Sequence, residues 1–117
     1  MHLLGKILFL SAILAGALAL TACPSQTTIS KINANPAKYR NKEIALIGTV
    51  TDSYGLLGNG IYELDDGTGR VWVMTTQGVP TKGTRVGTSG EVHTGVNYGG
   101  KNYGLVLQEE HRRSKSK

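Results

Sequence analysis

The chain's single tryptophan, Trp72, lies two residues after Arg70 in a segment that alternates apolar and polar side chains, and Tyr54 lies upstream in a glycine-rich stretch. A second glycine-rich stretch, 93–102, gathers His93, Asn97, Tyr98 and Lys101. These residue types suit non-covalent recognition. An exposed indole or phenol stacks on a base or sugar ring, a guanidinium or ammonium adds charge, and amides and an imidazole supply hydrogen bonds. Other chemistries find less support. Ser53 and Ser89 have no evident His and carboxylate partners for nucleophilic catalysis, and the one cysteine cannot build a Cys-His zinc site. Asp65-Asp66 lacks the spaced oxygen ligands and distal Glu of a calcium loop. The two carboxylates would also point to opposite faces of a strand end, so they cannot act as an acid-base pair; Asp66 is better placed to bond the backbone of a turn. Gly55 to Gly60 runs in the reverse order of the dinucleotide fingerprint, with no helix following. The residues imply a non-enzymatic binding protein with no metal and no cofactor.

Strands must position these side chains. Tyr62-Glu-Leu-Asp-Asp-Gly-Thr-Gly-Arg-Val-Trp-Val73 reads as a hairpin. A four-residue turn over Asp66–Gly69 would pair Asp65 with Arg70, Leu64 with Val71, Glu63 with Trp72 and Tyr62 with Val73. One face then carries Tyr62, Leu64, Val71 and Val73 and is the core. The other carries Ile61, Glu63, Asp65, Arg70, Trp72 and Met74, which leaves two readings of Trp72. Either it is an exposed stacking surface, reached by Tyr54 and Tyr98, or it packs with Met74 beneath a folded-over loop whose underside is Leu56 and Leu57. A one-residue slip would exchange the faces.

The surrounding pattern predicts five strands, over 43–51, 61–65, 70–75, 85–92 and 103–109, with Gly48 at a bend in the first. Residues 52–60 and 93–102 are predicted as long loops, and loops of that kind commonly carry function. Residues 76–84 contain Gly78, Pro80 and Gly83 and are not expected to form a helix. Ahead of the strands, Ile29 to Tyr39 reads as two short helical turns broken at Pro36, with Ile29, Ile32 and Tyr39 plugging one end of the core.

Both ends of the chain are distinctive. Lys6 followed by an apolar run over Ile7–Leu20 has the form of an export signal, too short to span a bilayer comfortably. Leu20-Thr21-Ala22-Cys23 resembles the lipobox of bacterial lipoproteins. The resemblance implies cleavage before Cys23, lipidation of Cys23, and durable anchoring by several acyl chains. Residue 24 is Pro rather than Asp, which favours an outer membrane, facing the periplasm, in a two-membrane envelope. The expected organisation is a signal peptide over 1–22, a lipidated Cys and tether over 23–28, one domain over 29–110 and a basic disordered tail over 111–117. The formal net charge is +5. The eight basic side chains from Lys31 to Lys101 are matched by eight acidic ones from Glu43 to Glu110, so the excess of the exported part lies in Arg112, Arg113, Lys115 and Lys117. A neutral body argues against tight, charge-driven nucleic-acid binding.

The hairpin sharpens the fold. Tyr62 to Val73 resembles the Y-x-L-x-D-G-T-G-x-I-x-V hairpin of tRNA-anticodon-binding-type OB-folds and of small exported bacterial OB-fold proteins. Gly48-Thr-Val50 and Gly90-Glu-Val92 fall where those families place strands one and four. The resemblance implies an all-β, five-stranded Greek-key OB barrel with a short N-terminal helical segment, and a ligand surface on the outer face of strands two and three. The expected function is a membrane-anchored envelope module engaging a protein or glycan partner. A single-stranded nucleic-acid-binding module and a purely structural envelope protein are the alternatives.

Overall fold

The computed structural model describes residues 25–115. The export signal, Cys23 and the last two residues lie outside the described residues. The elements in order are β1 (Ser25–Gln26), α1 (Ile29–Ala34), α2 (Pro36–Tyr39), β2 (Glu43–Leu56), β3 (Asn59–Asp65), β4 (Arg70–Thr75), β5 (Arg85–Tyr98) and β6 (Lys101–Lys115). The sheet runs β1-β2-β3-β4-β6-β5, and β5 pairs back onto β2, closing β2, β3, β4, β6 and β5 into a ring. Pairing is antiparallel except for β4 with β6 and β1 with β2. Closure removes the exposed edges that an open sheet of this size would present.

The period-two pattern fills the barrel. Ile44, Leu46 and Val50 of β2 join Tyr62, Leu64, Val71, Val73, Val86, Val92 and Leu107 in one buried cluster. The hairpin register is the one its sequence predicts, with Asp65 opposite Arg70, Glu63 opposite Trp72 and Tyr62 opposite Val73. Ile29 and Ile32, three apart on α1, are buried in the same cluster with Tyr39 packed against it, so the N-terminal segment plugs the core. The β3–β4 turn also docks that plug. Asp66 Oδ1 accepts from the Thr68 and Gly69 amides at 2.9 and 3.2 Å, and its Oδ2 accepts from the Ile29 amide at 2.9 Å. Thr28 provides no side-chain cap, so the turn carboxylate satisfies a free N–H of α1 from a distant part of the chain. Burial raises the Asp66 carboxyl, but hydrogen bonds from Thr68 and the Ile29 and Gly69 amides outweigh it and hold the group below its ordinary value.

Three expectations need correction. Residues 52–60 and 93–102 are not long loops: β2 and β5 run on to Leu56 and Tyr98 and turn in two residues, Leu57-Gly58 and Gly99-Gly100. All four turn residues have positive φ, 54°, 84°, 57° and 81°, as a tight hairpin turn matched to strand twist requires. Gly58, Gly99 and Gly100 are the turn residues of long ribbons, and Gly55, Gly60 and Gly95 lie within the strands. The tether is not wholly free either, since Ser25 and Gln26 pair alongside Ile44 and Ala45.

Third, residues 111–115 are not a disordered tail but continue β6 against β5, with Arg113 opposite Gly87 and Lys115 opposite Arg85. The reason lies inside the barrel. Glu109 is buried, accepting hydrogen bonds from the Tyr62 hydroxyl at 2.5 Å, Thr88 at 2.6 Å and Thr75 at 2.8 Å. Its counter-charge is Arg112, whose Nη1 lies 3.2 Å from Oε1. That contact is ionic rather than an aligned hydrogen bond, because Nη1 has no hydrogen-bond partner, while Nη2 donates to the Gln77 carbonyl at 3.2 Å. A buried carboxylate needs such a partner, so the strand must continue far enough to deliver it.

Candidate functional site

The pleat places Ile61, Glu63 and Asp65 of β3 beside Met74, Trp72 and Arg70 of β4 on the outer face. A register shift between Val50 and Asp52 sets Asp52 opposite Glu63 and Tyr54 opposite Ile61, bringing Tyr54 onto that face. The parallel partner β6 adds Val106 beside Trp72 and Gln108 beside Met74. Ile61 and Val106 are fully buried here, although they stand outside the core cluster. They form an apolar base under the aromatic side chains.

Trp72 is half-buried at the centre. The Tyr54 ring lies 6.1 Å from it, tilted by 34°, and the Tyr103 ring meets it edge-on at 5.3 Å and 68°. Both spacings fall in the range of favourable aromatic pairs. Lys101 Nζ stands 5.8 Å from the Trp72 ring centre and 5.1 Å from that of Tyr103, a cation–π arrangement. Tyr54 is 55 % exposed and its hydroxyl donates to Asp52 Oδ2 at 2.8 Å. That hydrogen bond and the Asp52 charge raise the Tyr54 phenol above its ordinary value. Thr51 donates to Glu63 at 2.8 Å, and Arg70 lies 3.2 Å from Asp65 and 3.6 Å from Glu63.

The two readings of Trp72 are therefore both modified. No loop folds over it with Leu57 as underside, since Leu57 sits at the hairpin turn and is 93 % exposed. Its cover is Tyr103, absent from the sequence-predicted site. The β5–β6 register passes from Val96 opposite Gly104 to Asn97 opposite Asn102, leaving Tyr103 unpaired. Gly104 has φ 68° and donates its amide to Asn102 Oδ1 at 2.8 Å. The bulge turns Tyr103 out of the strand's alternation and onto Trp72. Asn102-x-Gly104 was the available signal.

Of the predicted residues, the structure brings Tyr54, Trp72 and Lys101 together, with Arg70 beside them as the partner of Asp65 and Glu63. His93 is one strand further along the same row, opposite Val106, with Nε2 3.6 Å from Glu91. Asn97 and Tyr98 lie opposite Asn102 and Lys101 near the hairpin tip; among the described residues neither contributes a ring contact to the platform. No group of three or more His, Cys, Asp or Glu among the described residues is arranged to hold a metal. The arrangement can stack a flat or CH-faced ring on exposed aromatic surface and hydrogen-bond its substituents from carboxylate and ammonium groups at the rim.

Comparison with solved structures agrees with the barrel. The OBody AM3L09, solved bound to hen egg-white lysozyme, is 15 % identical, with 79 % of this chain and 96 % of that chain covered at a TM-score of 0.58. A protein of Leishmania major Friedlin described as an aspartyl-tRNA synthetase is 11 % identical over 78 % of this chain, at a TM-score of 0.60. The match spans 20 % of the synthetase's length. At such identities the likeness is one of fold. No protein-family model matches the chain, and no curated protein matches it in sequence.

Proposed function

We propose that this protein is an exported, lipid-anchored OB-fold module that binds an envelope ligand, without catalysis, through the Tyr54–Trp72–Tyr103–Lys101 platform. The OB assignment draws on the strand order, the helical plug and the two fold likenesses. The anchor reading draws on the lipobox at Leu20–Cys23. One observation carries the function: a half-buried tryptophan on the outer sheet face, flanked by an exposed tyrosine and a lysine, over Ile61 and Val106, which are buried but stand outside the cluster that fills the barrel.

The rim favours a glycan among partners. Asp52 and Glu63 line the β2–β3 side of the rings with Asp65 next along β3, and Arg70 is already paired with Glu63 and Asp65. Carboxylates accept hydrogen bonds from sugar hydroxyls but repel a phosphate backbone. Single-stranded nucleic acid is the second reading, favoured by the stacked aromatics with Lys101 and by the likeness to a synthetase. Fluorescence anisotropy with a labelled decanucleotide and with labelled chitotetraose separates them. The glycan reading expects saturable binding of the sugar and no salt-sensitive binding of the oligonucleotide at micromolar protein; the reverse result rejects it.

A further inference from the structure

Elsewhere on the barrel's outer surface lies a trough with a floor of small residues. Ala45 and Ile47 of β2 pair with Ser89 and Gly87 of β5, which pair in turn with His111 and Arg113 of β6. Two depressions of about 310 and 360 Å³ share Ile47, Gly87 and Arg113; Gln26 of β1 borders the first and Arg85 the second. Gly87 has no positive φ, and a Cβ built there would meet only Ile47 Cγ1 at 3.9 Å. The fold does not require glycine at this position. A glycine inside a regular strand marks the close approach of another group, and here it keeps the trough open beside Ile47, which is 44 % exposed.

The trough is also charged. Among the described residues Arg85 and Arg113 are exposed and take part in no ion pair, in contrast to Arg112, which turns inward to Glu109. The carboxylates of this face, Glu43, Glu91 and Glu110, gather at its other end, where a hydrogen bond with Glu43 raises the Glu110 carboxyl.

We propose that this trough seats anionic phospholipid headgroups at the membrane surface to which the chain is anchored. Each unpaired guanidinium matches one monoanionic phosphate diester in charge and in its two-pronged geometry, and Ala45, Ile47 and Gly87 accept the apolar stem below it. Gln26 borders the trough three residues after Cys23, so an acylated Cys23 holds that wall within about 10 Å of the bilayer anchor. β1 runs parallel to β2 with Gln26 beside Ala45, so Arg113 and Arg85, level with Ile47 and Thr49, lie about 7–14 Å further along the sheet. The proposal rests on the lipid-anchor reading for this proximity, whereas the trough's own chemistry does not.

The test uses the full chain carrying Cys23→Ser, which removes the acyl attachment point and leaves the trough intact. Co-flotation is measured at low salt with phosphatidylcholine vesicles, with and without phosphatidylglycerol; the leader is common to every variant, and the quantity read is the phosphatidylglycerol-dependent gain. Arg85→Gln and Arg113→Gln should each lower that gain about fivefold. Gly87→Val should lower it while leaving the thermal midpoint unchanged or higher, and Trp72→Ala should leave it unchanged. An equal gain in all three trough variants overturns the proposal, as does loss that occurs only together with a lowered midpoint. Inorganic phosphate binding that depends on Arg85 and Arg113, with no gain on vesicles, rejects the membrane as its source. Mass spectrometry of the mature wild-type protein reads Cys23 acylation separately, so failure of the anchor and failure of the trough are distinct results.

Discussion

Replacing Arg112 with alanine should destabilise the barrel by about 3 kcal/mol, the lower end of the cost of stripping one partner from a buried ion pair. The lower end applies because Glu109 keeps three hydroxyl donors, from Tyr62, Thr75 and Thr88. The Glu109 side chain has no exposed surface and that of Arg112 is 13 % exposed, so solvent screens the pair little. For a domain of this size, with a urea dependence of about 1 kcal/mol per molar, the midpoint of urea unfolding should fall by about 3 M. Glu109→Gln should also destabilise, since it leaves the Arg112 charge without a partner and sets an NH2 donor against a hydroxyl that now donates to a carboxylate oxygen. The double variant should cost less than the two single costs together, because each single change already breaks the same contact. Truncation after Glu110 should be worse than Arg112→Ala, as it also removes the β5–β6 pairs from Ser89–His111 to Arg85–Lys115. An unchanged midpoint in both Arg112→Ala and the truncation would refute the buried pair and restore a free basic tail.

Three further outcomes follow. Burial, with the Glu109 charge and hydrogen bond adding to it, pushes the Tyr62 phenol far above its ordinary value of 10.0. Its folded pKa is raised, so its contribution is full below about pH 10 and is lost as pH rises beyond it; ultraviolet titration should find one tyrosine that ionises only on unfolding. Asp66 is shifted the other way, so its contribution is present above its unfolded value and lost as pH falls through the lowered folded one. Asp66→Ala should cost about 1–2 kcal/mol at neutral pH by denaturant unfolding, and the gap to wild type should close in acid. Acrylamide should quench Trp72 partially, and Tyr103→Ala should increase quenching; complete protection in both would place the indole in the core.

The hairpin was the most legible part of the chain. Strict alternation from Tyr62 to Val73 around Asp-Gly-Thr-Gly leaves one register that buries Tyr62, Leu64, Val71 and Val73 together, and the spacing of Ile29 and Ile32 suffices to place the plug. What Asp66 does beyond its own turn was not legible, because capping α1 joins residues 37 apart in sequence. Gly58 and Gly99-Gly100 suggested loops because composition does not distinguish a flexible stretch from a two-residue turn closing two long strands. Arg112 and Arg113 read as a solvated tail because a charge run carries no sign of burial; only the alternation Leu107, Glu109 into the barrel shows that a carboxylate inside needs a cation nearby. At the candidate site, the outer-face position of Trp72 followed from the pleat, Tyr54 and Lys101 were expected on loops and lie instead on strands beside it, and Tyr103 was missed because a bulge reverses the face that alternation assigns.

Because the chain has one tryptophan, its emission reports on the platform alone. Titration with chitotetraose should give a saturable change in Trp72 fluorescence that is lost in Tyr54→Ala and Tyr103→Ala and retained in Arg113→Gln. Emission that stays constant at millimolar sugar, in protein whose unfolding midpoint is that of the wild type, would contradict a glycan-binding platform on this face.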